Sequence, residues 1–141
     1  IPGRVQFSVD LRHPDATVLS QMSAGLQQKI DSLSATHAMT ITLEEVSYFP
    51  PCNFNDACVE AIREVSKGLG YSQMDVVSGA GHDAIYMARL APTGMIFIPC
   101  KDGVSHNEIE DAKTVHLEAG ANVLLHSMLR FAKPILWVYV L

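Results

Sequence analysis

Two consecutive prolines, Pro50 and Pro51, restrict the fold of this chain more than any other feature. Proline lacks a backbone N–H and disfavours helical geometry in the residue before it, so the pair can join neither a helix nor the centre of a sheet. We therefore expect an extended linker here, which separates residues 1–49 from residues 50–133. Residues 134–141 form an atypical apolar tail, whose strand-like composition predicts a surface prone to association.

The segment before the prolines has the pattern strand, helix, strand. Apolar and polar residues alternate through 5–12, which predicts a half-buried strand with Arg12 on its polar face. Apolar residues then recur at helical spacing over 19–33, and Asp15 is placed to cap that helix. A second alternation over 40–44 predicts another strand, so this segment should form one compact α/β layer.

The segment after the prolines alternates helices and strands, which predicts a doubly wound α/β sheet with its loops at the strand C-termini. One strand is apolar on both faces, as expected when helices cover both sides. The last helix is apolar around most of its circumference and should be buried. The predicted elements are a helix over 59–69, a strand over 74–77, a helix over 85–90, the apolar strand over 94–98 and a helix over 114–131.

Composition excludes several classes of function. The 141 residues are 48% hydrophobic, enough for an ordinary globular domain with a sizeable core. The net charge of −5 and the scattered basic residues argue against a nucleic-acid partner. No stretch reaches the roughly 20 apolar residues of a membrane span. The start at Ile1 lacks an initiator Met and a signal sequence, which we interpret as a start inside a domain.

Three cysteines, Cys52, Cys58 and Cys100, form no closely spaced pair. An odd number without a signal sequence favours free thiols in a reducing compartment. We therefore expect a cytoplasmic location, or an organelle lumen if a targeting segment lies upstream.

Arg12 is the first candidate for a binding residue. The planar guanidinium of an arginine on the open face of a small sheet suits bidentate binding of a carboxylate. The alternative is a solvated strand arginine that pairs with Asp10 or Asp15.

The second candidate is the glycine-rich string Ser-Gly-Ala-Gly-His-Asp-Ala at 78–84, between a predicted strand and a predicted helix. Gly79 and Gly81 allow a ligand to approach the backbone closely, and His82 lies at the helix start. The serine precedes both glycines, which disfavours a nucleophile elbow. The alternative is a tight turn with a structural histidine.

The third candidate is His106, within Gly-Val-Ser-His-Asn at 103–107. This loop follows the apolar strand, and α/β sheets place their ligands at that end of a strand. A histidine there could be a metal ligand or a general base. A histidine with neither role is the alternative.

These three motifs, in this order, resemble the amidase and carbamoylase branch of the two-domain, M20-type metallopeptidase-like hydrolases. This branch includes N-carbamoyl-L-amino-acid hydrolases, allantoate amidohydrolases and β-ureidopropionases. The glycine-rich string and Gly-Val-Ser-His-Asn are specific in combination, although each is weak alone. The resemblance covers about residues 1–132 and rests on segments 1–3, 7–12, 50–51, 78–84, 95–99 and 102–107.

The resemblance implies a fold and a homodimer. Residues 1–49 would be the second half of an inserted α+β lid, which also forms the dimer contact. Residues 50–133 would be the C-terminal part of the catalytic α/β domain. The expected fold is therefore a partial doubly wound catalytic sheet with half of a lid and dimerisation domain.

The resemblance also implies roles for particular residues. Arg12 would hold the substrate carboxylate, and the turn that contains Gly79, Gly81 and His82 would line the substrate pocket. His106 would be the last ligand of a site for two divalent metal ions, zinc or manganese. The other metal ligands and the water-activating glutamate would lie upstream, so no catalytic residue is assigned here, and the chain alone should not hold both metals.

The function implied is hydrolysis of the ureido C–N bond in N-carbamoyl amino acids or allantoate-like ureides, with release of ammonia and carbon dioxide. The partner would be a small-molecule carboxylate substrate, and the chain would be a fragment of the complete enzyme. Two alternatives stay open. One is a non-catalytic dimerisation or partner-binding remnant of the same family, and the other is a peptidase of the wider superfamily.

Overall fold

A computed structural model describes residues 2–132, and within that range the regular structure is helical. The four segments predicted as strands lie outside the helices, and no β-strand is assigned between residues 2 and 132, so the α/β class stays a prediction. The apolar tail, 134–141, lies outside the described residues. The helices are α1, Ala16–His37; α2, Asp56–Gly68; α3, Asp83–Met87; and α4, Thr114–Phe131, with a 3-10 turn at Lys101–Gly103.

The described residues divide into two compact units. The first unit contains residues 2–53 together with 77–81, and the second contains 54–76 together with 82–132. The division along the chain falls shortly after the proline pair. Segment 77–81 groups with the first unit, although the sequence pattern had placed it with the residues that follow the prolines. The domain assignments made from the resemblance stay predictions.

Helix α1 begins where the sequence predicted a cap. Asp15 is extended, and its side chain accepts hydrogen bonds from the backbone N–H groups of Thr17, at 2.7 Å, and Val18, at 3.2 Å. These are donors that a helix start leaves without intrahelical partners. The helix ends at His37, and the capping residue after it, Ala38, has a φ of 51°, in the left-handed region. Both the predicted helix and its cap are therefore confirmed.

Helix α2 is also capped by a side chain and packs against α4. Asn55 accepts hydrogen bonds from the backbone N–H groups of Ala57, at 3.1 Å, and Cys58, at 3.2 Å. The predicted helices that correspond to α2 and α4 are confirmed. The predicted third helix is shorter than expected, because α3 ends at Met87 and a turn continues to Leu90.

The buried residues of the packed helices α2 and α4 are mostly small. Ala61 and Ser66 are the buried residues of α2, and Val123 and Ser127 are those of α4. The Ser66 hydroxyl donates to the Ile62 carbonyl at 2.8 Å, so its burial leaves no unsatisfied donor. Residues of this size let the two helix backbones approach closely.

Polar contacts at the edge of this interface hold the two helices in register. Arg130 of α4 forms an ion pair with Glu64 of α2, and both side chains are about half exposed, which limits its contribution to stability. The Asn122 amide donates to the Tyr71 hydroxyl at 3.0 Å in a partly buried position. Tyr71 follows α2, so this bond ties the end of that helix to α4.

Two glycines allow segment 94–98 to lie close to both helices. A Cβ at Gly94 would stand 3.0 Å from Ile62 Cδ1 and 3.1 Å from Cys58 Cβ. A Cβ at Gly120, on α4, would stand 2.7 Å from Ile98 Cγ2. The sequence predicted that helices cover both faces of this segment. They cover it only in part, since the segment is mostly half-buried and Phe97 is 47% exposed.

The expectation of a buried last helix and a sizeable core is wrong for the described residues. The buried hydrophobic side chains there are Leu19, Ala61 and Val123. A helix that is apolar around its circumference needs partners on several sides, and one face of α4 packs against α2. Large apolar side chains of α4 that are more than half exposed are Val115, Leu117, Leu124, Leu125, Met128, Leu129 and Phe131.

No described helix combines the length and the apolar character needed to cross a membrane.

We predict different effects of alanine at two helical glycines. A Cβ at Gly25 in α1 meets nothing within 4 Å, so Gly25→Ala should stabilise the chain by about 1 kcal/mol through helix propensity. At Gly120 the same gain of about 1 kcal/mol is opposed by overlap with Ile98, which costs about 1–3 kcal/mol. Urea unfolding followed by circular dichroism measures both. Equal stabilisation by the two variants would contradict the close packing of α4 on Ile98.

We also predict that α1 is sensitive to acid through its cap. The hydrogen bonds from Val18 and Thr17 lower the pKa of Asp15 below its ordinary value of 3.8. The stabilisation by the charged cap is therefore present above that value and lost as the pH falls through the lowered pKa. Asparagine caps a helix about as well and does not titrate, so Asp15→Asn should retain more helix at low pH. Equal acid-induced loss of far-ultraviolet circular dichroism in both proteins would argue against this role.

Candidate functional site

Arg12 forms an ion pair with Asp10. The Arg12 Nε group lies 3.0 Å from each oxygen of the Asp10 carboxylate, and Nη2 donates to Oδ2 as well. This hydrogen bonding is the main cause that lowers the pKa of Asp10 and raises the pKa of Arg12. The two side chains are 63% and 61% exposed, respectively, so the pair remains accessible to solutes. The pairing with Asp10 is the one that the alternative interpretation of Arg12 predicted.

Arg12 also contacts the glycine-rich string, 67 positions along the chain. Its Nη1 group donates a hydrogen bond to the backbone carbonyl of Gly79. Arg12 and Gly79 belong to the same compact unit. The structure thus brings together two of the three motifs that the sequence singled out. The guanidinium donates hydrogen bonds both to the Asp10 carboxylate and to the glycine-rich turn.

The turn around Gly79 and Gly81 is open. A Cβ at Gly79 would lie 3.8 Å from Arg12 Cδ, which is an ordinary contact, and a Cβ at Gly81 would meet nothing within 4 Å. Neither glycine is among those with positive φ. Ser78 Oγ accepts a hydrogen bond from the Ala80 N–H at 3.2 Å and shapes the turn. Local backbone geometry and packing therefore do not require glycine here, and the accessible backbone suits the approach of a ligand.

His82 lies in the second unit, at the start of α3. Its ring meets the ring of Phe97 edge to face, with centroids 5.4 Å apart and planes at 64°. The histidine occupies the cap position of α3, but its side chain forms no cap hydrogen bond. This geometry is a packing contact of the kind that favours a structural histidine. A role for His82 in a substrate pocket stays a prediction.

His106 is held in a tight, exposed loop of the second unit. Its φ of 58° lies in the left-handed region, which is uncommon for a residue with a side chain. Its backbone N–H donates to the Glu110 carboxylate at 2.6 Å. Asn107 accepts from Ile109 N–H through its side chain, at 3.2 Å, and from Glu110 N–H through its carbonyl, at 3.0 Å. The loop thus has a conformation stabilised by its own residues.

A metal site does not fit the described residues alone. Between residues 2 and 132, no three or more His, Cys, Asp or Glu side chains are grouped so that they could hold a metal ion. Zinc usually takes three or four protein ligands, and a site for two metals needs more. His106 could contribute one ligand, which is too few for a metal site built from these residues alone.

Sequence reasoning missed two contacts in these sites. The first is the bond from Arg12 to the Gly79 carbonyl, because local sequence carries no signal for a pairing between distant segments. The second is the clamp on His106 by Glu110, which depends on the loop conformation. The pairing with Asp10 did have a signal, since residues two apart in an extended segment lie on the same face.

Comparison with known proteins identifies the family. Residues 4–130 match the model of Peptidase family M20/M25/M40. An N-carbamoyl-L-amino-acid amidohydrolase from Rhizobium meliloti is 42% identical over 133 residues, which are 94% of this chain and 32% of that protein. An allantoate amidohydrolase from Bacillus subtilis is 33% identical over 132 residues, again 94% of this chain and 32% of the relative.

A solved structure supports the same relationship. The crystal structure of an amidase of the hydantoinase/carbamoylase family from Burkholderia multivorans matches with a TM-score of 0.81 and 52% identity, over 84% of this chain and 29% of that one. The chain therefore spans about a third of the length of the relatives that it matches. It belongs to Peptidase family M20/M25/M40, and within that family it is similar to N-carbamoyl-L-amino-acid and allantoate amidohydrolases.

Proposed function

We propose that this chain supplies the carboxylate-binding part of a binuclear-metal amidohydrolase. The substrate would be an N-carbamoyl amino acid or an allantoate-like ureide, and the bond cleaved would be its ureido C–N bond. The observation that carries the proposal is the exposed Arg12 guanidinium, fixed between Asp10 and the Gly79 carbonyl. Relatives named as N-carbamoyl-amino-acid and allantoate amidohydrolases support this substrate class.

Arg12 would bind and orient the substrate. A guanidinium binds a carboxylate through two parallel N–H···O bonds, which fix direction as well as position. Anchoring the carboxylate limits the positions that the ureido group can take, and such orientation contributes substantially to rate enhancement. The open backbone at Gly79 and Gly81 would leave room for the substrate beside the arginine.

His106 would be a metal ligand contributed by the second unit. Metallohydrolases of this family generally use divalent metal ions, and the metal proposed here is zinc or manganese. The Glu110 carboxylate holds the backbone from which the His106 side chain extends, which suits a metal ligand. The remaining ligands and the base would come from outside the described residues. We further propose a homodimer through the first unit and a cytoplasmic location.

A second candidate function is a non-catalytic module of the same family that binds a partner or dimerises. The observation that favours it is the set of large apolar side chains on α4 that stay exposed in this chain. Exposed apolar patches of this kind mark surfaces that associate with protein. A peptidase of the wider superfamily ranks lower, because the named relatives are amidohydrolases.

We predict a substrate-dependent effect of Arg12→Ala. In a chimera, residues 2–132 would replace the matching third of the Rhizobium meliloti relative. Loss of a charge-assisted hydrogen bond should raise the KM for N-carbamoyl-L-alanine about ten- to hundredfold. The KM for the corresponding carboxamide, which lacks the carboxylate, should hardly change. An unchanged KM for the acid would rule out carboxylate binding by Arg12.

In the same chimera, His106→Ala should abolish metal-dependent turnover. His37→Ala serves as the matched control, since His37 is an exposed histidine at the end of α1 and belongs to none of the three motifs. Metal analysis and turnover of the chimera separate the two candidate functions, because under both of them the isolated chain can be a metal-free oligomer. Metal-dependent turnover by the chimera favours the amidohydrolase, whereas a folded chimera that binds no metal and turns over no substrate favours the non-catalytic module.

A further inference from the structure

The five N–H groups of Arg12 are unequally occupied. A guanidinium presents one N–H at Nε and two at each Nη. The Asp10 carboxylate lies against Nε and Nη2, so it occupies the side edge that those two nitrogens share. The Gly79 carbonyl accepts from Nη1. Three of the five donors are thus engaged by the chain itself, which leaves one N–H on Nη1 and one on Nη2.

The position of Gly79 indicates which Nη1 proton is engaged. A Cβ built on Gly79 lies 3.8 Å from Arg12 Cδ and 3.9 Å from Nη1, so the glycine stands on the flank where these two atoms are neighbours. One Nη1 proton points to this flank, and the other points to the outer edge beside Nη2. A carbonyl on this flank would take the inner proton. The two remaining protons are then the parallel pair on the outer edge.

We propose that Asp10 and the Gly79 carbonyl are positioning groups that leave Arg12 one two-donor edge, the outer edge between Nη1 and Nη2. This edge would accept a single planar carboxylate end-on through both oxygens. A carboxamide matches it poorly, because one of its two terminal groups is a donor. The inference deepens the proposed function and rests on it, since it describes how the proposed anchor distinguishes an acid from its amide.

Asp10 also changes the balance between charge attraction and hydrogen bonding in the binding of a ligand to Arg12. The carboxylate neutralises the charge of Arg12, so the pair as a whole offers little net attraction to an arbitrary anion. Selection then depends on the direction of two hydrogen bonds more than on charge. The opposite role for Asp10 would be competition, in which the carboxylate occupies the arginine and the substrate must displace it. The two roles predict opposite changes in KM.

Nuclear magnetic resonance of the chain itself tests the positioning. With ¹⁵N-labelled protein, the Arg12 Nε–H signal is assigned by its loss in Arg12→Lys. We expect Asp10→Asn to speed its exchange with water several-fold, whereas the matched control Asp31→Asn leaves it unchanged; Asp31 is an exposed aspartate of α1 that accepts from the Gln27 amide. Equal exchange in wild-type protein and Asp10→Asn would overturn the proposal.

Added acetate tests which edge is open in the same sample, with acetamide as the neutral control. In the protein with its native Asp10, acetate should shift the Arg12 Nη signals and leave the Nε–H signal unchanged. Acetamide should shift neither signal. A shift of the Nε–H signal toward the frequency it has in Asp10→Asn would mean that acetate displaces Asp10 from Arg12. That result would overturn the proposal in favour of competition.

Kinetics of the chimera test the consequence for substrate. Asp10→Asn should raise the KM for N-carbamoyl-L-alanine about tenfold with kcat nearly retained, leave the carboxamide unaffected, and be partly rescued by Asp10→Glu. A lower KM would overturn the proposal. Slower turnover of acid and amide alike would also overturn it, since that is a structural effect. If the chimera with all its native residues turns over neither substrate, the proposed function fails, while the resonance experiments still decide how Asp10 and Gly79 hold Arg12.

Discussion

The hydrogen bond from Arg12 to the Gly79 carbonyl is the long-range interaction on which the candidate site depends. It joins a segment near the start of the chain to a turn 67 residues later, and both ends belong to one compact unit. Because Asp10 holds the other side of the same guanidinium, the arginine is restrained from two directions. A long side chain loses rotamer entropy when it is ordered. Ordering it before a ligand arrives means that binding need not include that cost.

The second unit follows a different physical principle, the close approach of helices through small residues. Ala61 and Ser66 are the buried residues of α2, Val123 and Ser127 are those of α4, and Gly120 admits Ile98 against α4. This leaves most of the large apolar side chains of α4 outside the α2 interface. The exposed apolar surface on α4 is therefore a consequence of its sequence, which is apolar on more sides than one neighbouring helix can cover.

Local interactions made the helices predictable, whereas strands and sites depend on distant partners. The cap at Asp15 and the apolar spacing of α2 and α4 lie within a few residues of what they stabilise, so their patterns alone predicted them. A strand needs hydrogen bonds to another strand, and alternation in one segment, such as 94–98, does not show where that partner lies. For the same reason, Arg12 and the Gly79 turn were recognisable separately, but their contact was not.

Arg12 belongs to an organised arrangement within the described residues, whereas His106 is a single candidate ligand. This difference follows from how many groups a carboxylate anchor and a metal site each need. A carboxylate anchor requires one guanidinium held in place, and two neighbours, a carboxylate and a backbone carbonyl, are enough to hold it. A metal ion requires several ligands at once, and the described residues offer no group of three or more. His106 has a backbone clamped by Glu110 but supplies one ligand. A chain that spans about a third of its relatives' length can thus carry an ordered guanidinium, the proposed substrate anchor, together with a single candidate metal ligand. Carboxylate binding is therefore the part of the proposed function that these residues support most directly.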